Sequence, residues 1–203
     1  MLIRNRAIGA HPVDVTIRSA QHPFHTNFTP PYHPGTEAAG DVVAVGEGLE
    51  EFRVGQRVCG RAAGGAYAEL VRLGAMWTLD LPDAYGYSEG AGITVQFITA
   101  WNALIVNARA AAGETVLVQG GAGGVGMASV QLAKAMGCRV FATVSSKEKA
   151  DLCRTLGADE VINYREEDFA ARCMELTAGR GVDVVVEMIA EENLDRDIDA
   201  IRP

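Results

Sequence analysis

The chain has 203 residues, of which 48% are hydrophobic and 22% charged, a composition typical of a folded globular protein. Its formal net charge of −8 disfavours nucleic acids and anionic lipid surfaces as partners. No run approaches the roughly 18 apolar residues of a membrane span, and the first residues lack the apolar centre of a secretory signal. We therefore expect a cytoplasmic protein.

The four cysteines lie far apart in the sequence and form no CxxC pair. This spacing favours reduced, partly buried thiols over a disulfide framework or a zinc knuckle. The cysteines are Cys59, Cys138, Cys153 and Cys173.

The first part of the chain, residues 1 to about 93, consists of short apolar runs interrupted by Pro and Gly. This punctuation predicts a domain of strands and turns, in which DVVAVGEG and AYAELVRL have the pattern of hairpin arms. From Ser88 to about Ala110 apolar residues follow helical spacing, and Glu89 lies just inside the start. We predict one helix over this stretch.

The remainder of the chain alternates between strand and helix patterns. The strand-like segments are ETVLVQG, RVFATV, EVINY and VDVVVEMI. The helix-like segments are GVGMASVQLAKAMG, SKEKADLCRTLG, EEDFAARCMELTAG and EENLDRDIDAIRP. Four strands joined by crossover helices predict a doubly wound parallel sheet. The expected fold class is therefore α/β, with a β domain over residues 1–93 and a doubly wound domain over residues 94–203.

A glycine-rich stretch, GGAGGVG, joins the first of these strands to the first of these helices. Gly121, Gly123 and Gly126 form GxGxxG, in the strand-to-helix context in which backbone amides bind a pyrophosphate. The alternative is a glycine-rich turn that serves only tight packing of the helix on the strand. The predicted phosphate-binding residues are Gly120, Gly121, Ala122, Gly123, Gly124, Val125 and Gly126.

The end of the next strand indicates which dinucleotide is bound. NAD sites carry a carboxylate there for the ribose hydroxyls, but this chain has ATVSSKEK, with Ser145, Ser146, Lys147 and Lys149. Hydroxyl donors and positive charge suit a 2′-phosphate, so we predict NADPH rather than NADH. Alternatively, Ser146 only caps the following helix and the lysines lie on its solvated face.

Several blocks of the sequence together resemble a known family. They are GTEAAGDVVAVGEG, VGQRV, GGAYAEL, GETVLVQGGAGGVG, QLAKAMG, LGADEVINYREEDF and GRGVDVVVEMIA. In this order and spacing they are similar to the medium-chain dehydrogenase/reductase superfamily, specifically its zeta-crystallin-like quinone oxidoreductases. The resemblance implies a GroES-like β domain followed by a Rossmann domain, and a homo-oligomer.

The resemblance also implies an activity and site residues. NADPH would donate a hydride to a quinone or a related activated enone. Lys149 and Tyr164 match positions on the 2′-phosphate side, and Thr99 matches a position near the nicotinamide. Relatives often carry Tyr where Thr16 and His22 stand, which makes Thr16 a further candidate in the catalytic domain.

Zinc-dependent members of the superfamily bind their catalytic metal through Cys, His and Cys. The matching positions here are His11, Thr36 and Val95, of which only His11 is a ligand type. We therefore expect no metal and a zinc-independent reaction. A separate cluster of His11, His22, His25 and His33 is the less favoured alternative.

His11 stands in GAHPVD, where relatives carry an amide. Its ordinary pKa near neutrality would allow it to donate a proton to the reduced acceptor. Alternatively, His11 only fills the place of the amide and hydrogen-bonds the backbone.

By the same resemblance, the chain corresponds to the middle of such a protein, without the first hairpin and the last Rossmann strands. We expect an NADPH-dependent quinone or enone reductase. The alternatives are an enoyl-thioester reductase of the same superfamily and a catalytically silent nucleotide-binding module.

Overall fold

The computed structural model describes residues 1–22 and 31–202. These residues form two compact units, Met1–Val95 and Gln96–Pro203. The division into functional domains after residue 93 stays a prediction. None of the helices in the described part of the chain is long and apolar enough to cross a membrane.

The first unit contains a five-stranded antiparallel sheet with the order β4-β1-β2-β3-β5. Its strands are β1 (Leu2–Gly9), β2 (Glu37–Ala44), β3 (Arg57–Arg61), β4 (Leu70–Arg72) and β5 (Thr78–Asp80). Ile3, Val42, Val58 and Val71 are buried together against one face of this sheet. The predicted domain of strands and turns is confirmed, although the arm expected at AYAELVRL contributes only three residues of strand.

A short helix, α1 (Pro12–Arg18), follows β1 and was not predicted from the sequence. Its start is nevertheless encoded, because Pro12 stands at the first helical position, where its missing N–H is not needed. Asp14 Oδ2 accepts a hydrogen bond from the N–H of His11 at 2.9 Å. Proline is a signal for turns in the sequence, but it also favours the start of a helix.

The single helix predicted from Ser88 to about Ala110 is wrong in detail. The structure has α2 (Tyr87–Gly90), α3 (Thr94–Trp101) and a π-helix (Asn102–Asn107). The N–H of Val95 donates a hydrogen bond to Glu37 Oε1 at 2.9 Å. In a helix continued from α2, this N–H would donate to a backbone carbonyl of the preceding turn. The helix is therefore interrupted where a buried carboxylate from β2 takes its backbone donor.

The second unit contains a four-stranded parallel sheet with the order β8-β7-β6-β9. Its strands are β6 (Thr115–Val118), β7 (Arg139–Val144), β8 (Glu160–Asn163) and β9 (Val184–Val186). Its helices are α4 (Gly124–Ala135), α5 (Lys147–Thr155), α6 (Phe169–Leu176) and α7 (Ala190–Ala200). The predicted doubly wound sheet, and with it the α/β fold class, is confirmed.

The central strands of this sheet are buried on both faces, which explains their continuous apolar sequences. Val116, Val118 and Val140 belong to one hydrophobic cluster, whereas Leu117 and Phe141 belong to another. Because the strands are parallel, their carboxyl ends lie at one edge, and the order reverses between β6 and β9. Ligands bind doubly wound sheets at such a switch point.

The cysteines are free and buried, as predicted. Burial raises the pKa of all four thiols, and that of Cys173 reaches about 12. Thiols of this kind carry little thiolate at neutral pH and are poor nucleophiles.

Candidate functional site

The glycine loop leaves β6 and turns directly into α4. Gly120 adopts φ +59°, in the left-handed region that favours glycine. Its N–H donates to Thr143 Oγ1 at 3.0 Å, and the N–H of Gly121 donates to the Thr143 carbonyl at 2.9 Å. Thr143, near the end of β7, therefore fixes the first half of the loop.

Two glycines of the loop are required by packing. A Cβ on Gly126 would lie 2.3 Å from the carbonyl oxygen of Gly120, and one on Gly121 would lie 2.8 Å from Ala142 Cβ. Both obstacles are backbone or rigid atoms, so a side chain at either position would displace the helix or the strand. The tight-packing explanation of the glycines thus applies to Gly121 and Gly126 regardless of any ligand.

The remaining glycines leave one face of the loop open. Gly123, the N-cap of α4, has no side chain to cap the helix, and Gly123 and Gly124 are both exposed. The N–H groups of Gly124, Val125 and Gly126 belong to the first helical turn, where the helix offers no acceptor. Together with the helix dipole they provide the donors of an anion site.

The residues after β7 and β8 lie at the same edge of the sheet. Lys149 Nζ donates to Ser145 Oγ at 3.1 Å, and the N–H of Tyr164 donates to the Val144 carbonyl at 3.1 Å. The Tyr164 side chain is 47% exposed. Ser146 has a different role, because its hydroxyl accepts the Lys149 N–H and caps α5. The structure thus places one cationic and two hydroxyl side chains, those of Lys149, Ser145 and Tyr164, near the ends of β7 and β8.

A second cluster lies in the first unit, around His11. His11 Nε2 lies 2.9 Å from Glu37 Oε2, and the side chains are 10% and 0% exposed, respectively. The contact has an ion-pair distance but not the alignment of a hydrogen bond. Burial raises the pKa of the Glu37 carboxyl, against the opposing effects of the Val95 N–H and His11. The pair can therefore hold a proton in a site largely shielded from water.

Glu37 was missed as a functional residue by the sequence analysis. The available signal was an acidic residue at the start of the strand EAAGDVVA, among small and apolar residues that predict burial. Its partners His11 and Val95 are distant in sequence, so only the folded chain brings the three together.

Asp14 organises the backbone around His11. Its carboxylate accepts hydrogen bonds from the Tyr67 hydroxyl at 3.0 Å and from the N–H of Gly35 at 3.3 Å, in addition to the His11 N–H. Asp14 is 6% exposed, so these contacts fix the end of β1 relative to the segment before β2.

The other predicted catalytic residues, Thr16 and Thr99, lie on α1 and α3, respectively. Thr16 Oγ1 donates to the Val13 carbonyl at 3.0 Å, within its own helix. Thr99 is exposed on α3, in the second unit. Their catalytic roles stay predictions.

The positions matched to zinc ligands offer a poor donor set. Val95 has no donor side chain, and the Thr36 hydroxyl is buried with no hydrogen-bond partner in the described part of the chain. Within residues 1–22 and 31–202, no three His, Cys, Asp or Glu side chains are grouped so as to hold a metal. His25, a member of the alternative cluster, lies outside the described residues.

Comparison with protein families supports the two-part organisation. Residues 1–108 match the family described as alcohol dehydrogenase GroES-like domain, and residues 124–203 match the family described as zinc-binding dehydrogenase. The second description names a family that includes metal-dependent members, and does not by itself place a metal in this chain.

Curated relatives match almost all of this chain. The quinone oxidoreductase of Rattus norvegicus is 38% identical over 199 residues, which cover 98% of this chain and 60% of the rat protein. The quinone oxidoreductase of Pseudomonas aeruginosa is 38% identical over 203 residues, covering 99% of this chain and 61% of the relative. The chain thus spans about 60% of the length of these relatives.

Solved structures give the same result. Escherichia coli quinone oxidoreductase in complex with NADPH has a TM-score of 0.87 and 34% identity, and the match covers 99% of this chain and 61% of that chain. CurK enoyl reductase has a TM-score of 0.90 and 32% identity, with coverage of 100% and 62%. The resemblance stated from the sequence is confirmed: the chain belongs to the alcohol dehydrogenase GroES-like family, within the medium-chain dehydrogenase/reductase superfamily, among relatives of the quinone oxidoreductases.

Proposed function

We propose that the chain forms the cofactor-binding and substrate-side part of a zeta-crystallin-like oxidoreductase that transfers a hydride from NADPH to quinones or related activated enones. The observation that carries this proposal is the glycine loop, with the open amides of α4 and the pair of Ser145 and Lys149 at the same sheet edge. The NADPH bound by the Escherichia coli relative supports the same cofactor.

The residues at this edge divide the binding between them. The amides of Gly124, Val125 and Gly126 hold the pyrophosphate, since they point out of the first turn of α4. Ser145, Lys149 and Tyr164 hold the 2′-phosphate with one positive charge and two hydroxyl groups. Gly120, Gly121 and Gly123 act mainly by shaping the loop, because their N–H groups already have acceptors within the protein.

NADPH supplies the hydride. The protein supplies no Lewis acid at the positions matched to zinc ligands, so the acceptor must stabilise the arriving negative charge through its own conjugated carbonyl. This requirement selects quinones and enones over unactivated ketones. We assign to His11 the proton that neutralises the reduced acceptor, with Glu37 and Asp14 holding the side chain and the backbone in place.

Finer features of the proposal follow from the family. We propose a zinc-independent, cytoplasmic homo-oligomer whose substrate is a small molecule. Thr16 and Thr99 remain candidates for contacts with substrate and nicotinamide, respectively.

An enoyl-thioester reductase is the second candidate. The likeness to CurK enoyl reductase favours it, since that structure matches the whole of this chain with a TM-score of 0.90. The same fold and cofactor serve any activated double bond, so the acceptor decides between the two.

The test uses the purified chain. NADPH and NADH are titrated by calorimetry, and oxidation of NADPH is then followed by absorbance with 1,4-benzoquinone or crotonyl-CoA. Tighter binding of NADPH, with faster oxidation by the quinone, supports the proposal. Faster oxidation by crotonyl-CoA replaces it with the second candidate, and binding without oxidation supports a catalytically silent module. Absence of binding to both nucleotides overturns the cofactor assignment.

A further inference from the structure

A chain of buried polar side chains connects the glycine loop to α7. Thr143 Oγ1, which accepts the Gly120 N–H, donates to Gln119 Oε1 at 2.7 Å. Gln119 Nε2 in turn donates to Asp197 Oδ1 at 2.7 Å. Thr143, Gln119 and Asp197 are 1%, 4% and 6% exposed, so water does not replace these contacts.

The hydrogen bonds run in a fixed direction. Asp197 Oδ1 can only accept, and it therefore orients the Gln119 amide with the nitrogen towards α7 and the oxygen towards Thr143. The Thr143 hydroxyl then has an acceptor for its proton and keeps a lone pair for the Gly120 N–H. The orientation of one side chain amide thus supports the left-handed turn at Gly120.

The second carboxyl oxygen of Asp197, Oδ2, differs from Oδ1 in its hydrogen bonding. Oδ2 is buried and has no hydrogen-bond donor among the described residues. Glu187, the residue after β9, interacts with the Asp197 carboxyl, and a proton on Oδ2 would give this oxygen a hydrogen to donate. Burial, together with Glu187, raises the pKa of Asp197 to about 6, despite the hydrogen bond from Gln119.

Two further titratable groups interact with Asp197. Arg196, on the same helix, lowers the pKa of Asp197, but its guanidinium lies 3.1 Å from Asp168 and over the Phe169 ring. The Cys173 thiol on α6 is protonated, since burial is the largest cause that raises its pKa to about 12. Glu187 is therefore the carboxyl that acts most directly on Asp197.

We propose that Gln119 and Asp197 are positioning residues for dinucleotide binding, which hold the glycine loop through Thr143, and that ionisation of the buried Asp197 carboxyl beside Glu187 weakens this hold. The proposal rests on the proposed NADPH site. NADPH affinity is expected to fall as the pH rises through the range in which Asp197 ionises, because a buried negative charge then stands beside Glu187 at the base of the network.

Asp197→Asn separates this positioning role from a merely structural one. The amide oxygen can accept from Gln119 and the amide nitrogen can donate to Glu187, so the variant imitates the protonated Asp197 carboxyl at every pH. By calorimetry with NADPH, we expect it to match the unaltered chain at about pH 5 and to bind about threefold more tightly at about pH 8. Asp199→Asn is the matched control, since Asp199 is exposed on the same helix. NADH, without the titrating 2′-phosphate, repeats the comparison.

Hydrogen exchange of the Gly120 and Gly121 amides gives a readout that does not depend on the cofactor. Gln119→Leu should accelerate their exchange about tenfold in the free chain, while α5 and α6 keep their protection. An equal ratio of NADPH affinities for Asp197→Asn at both pH values, or unchanged exchange in Gln119→Leu, overturns the positioning proposal. If the unaltered chain binds no NADPH, the proposed function fails, and hydrogen exchange alone then decides whether the network holds the loop.

Discussion

The two candidate sites of this chain are built by opposite means. The glycine loop offers backbone amides and almost no side chains, and its shape follows from the absence of Cβ atoms at Gly121 and Gly126. The His11 cluster depends on side chains, above all a fully buried Glu37 that contacts His11 and the Val95 N–H. Stability and ligand binding therefore respond to steric changes in the first site and to changes of charge in the second.

Gly126→Ala is the strongest test of the glycine loop, whose shape depends on missing Cβ atoms. The added Cβ would lie 2.3 Å from the Gly120 carbonyl oxygen, so α4 or the loop must move. We expect a loss of about 3 kcal/mol in the free energy of unfolding, measured by urea denaturation. Gly124→Ala is the control, because its Cβ would first meet the flexible Gln96 side chain at 3.1 Å. Equal stability of the two variants would contradict the steric explanation.

Glu37→Gln tests the His11 cluster, which depends on charged side chains. Because burial raises the pKa of Glu37, the folded chain binds the proton more tightly than the unfolded chain. The resulting stabilisation is complete below the ordinary carboxyl pKa and is lost as the pH rises through the raised pKa. Glu37→Gln keeps an acceptor for Val95 and should remove the loss of stability that the unaltered chain shows as the pH rises above the ordinary carboxyl pKa.

The measurement for Glu37→Gln is the denaturation midpoint as a function of pH, with exposed Glu51→Gln as the control. The control should follow the unaltered chain throughout. An identical pH dependence in Glu37→Gln would show that the Glu37 carboxyl does not titrate differently in the folded state.

Lys149→Ala sharpens the cofactor assignment. The amine supplies the positive charge beside Ser145. We expect an approximately tenfold weaker affinity for NADPH and an unchanged affinity for NADH, measured by calorimetry. Lys134→Ala, which removes an amine paired with Asp159, should change neither. Equal losses for both nucleotides would place Lys149 outside 2′-phosphate recognition.

Ser146→Ala and Ser145→Ala separate helix capping from phosphate binding, with the smallest expected effects. Ser146 caps α5 through a long 3.4 Å contact, so its removal should lower the free energy of unfolding by about 0.5 kcal/mol and leave NADPH affinity unaltered. Ser145→Ala should do the reverse, weakening NADPH binding with little change in stability. The opposite pattern would exchange the roles assigned to the two serines.

The sequence predicted those features that depend on residues close to one another along the chain. The parallel sheet followed from the alternation of apolar strands and amphipathic helices, and the loop followed from glycine spacing. Glu37 and the Gln119–Asp197 contact were not predictable in this way, because residues far apart in sequence form them. The interruption between α2 and α3 was missed for the same reason, since Glu37 takes the Val95 N–H only in the folded chain.

The central claim is that the glycine loop and the ends of β7 and β8 together hold NADPH. Hydrogen exchange of the full chain, with and without saturating nucleotide, tests it directly. We expect NADPH to protect the amides of Gly124, Val125 and Gly126 and those at the start of α5, and NADH to protect the loop alone. Protection by NADPH elsewhere, with no change in the loop, would contradict the account.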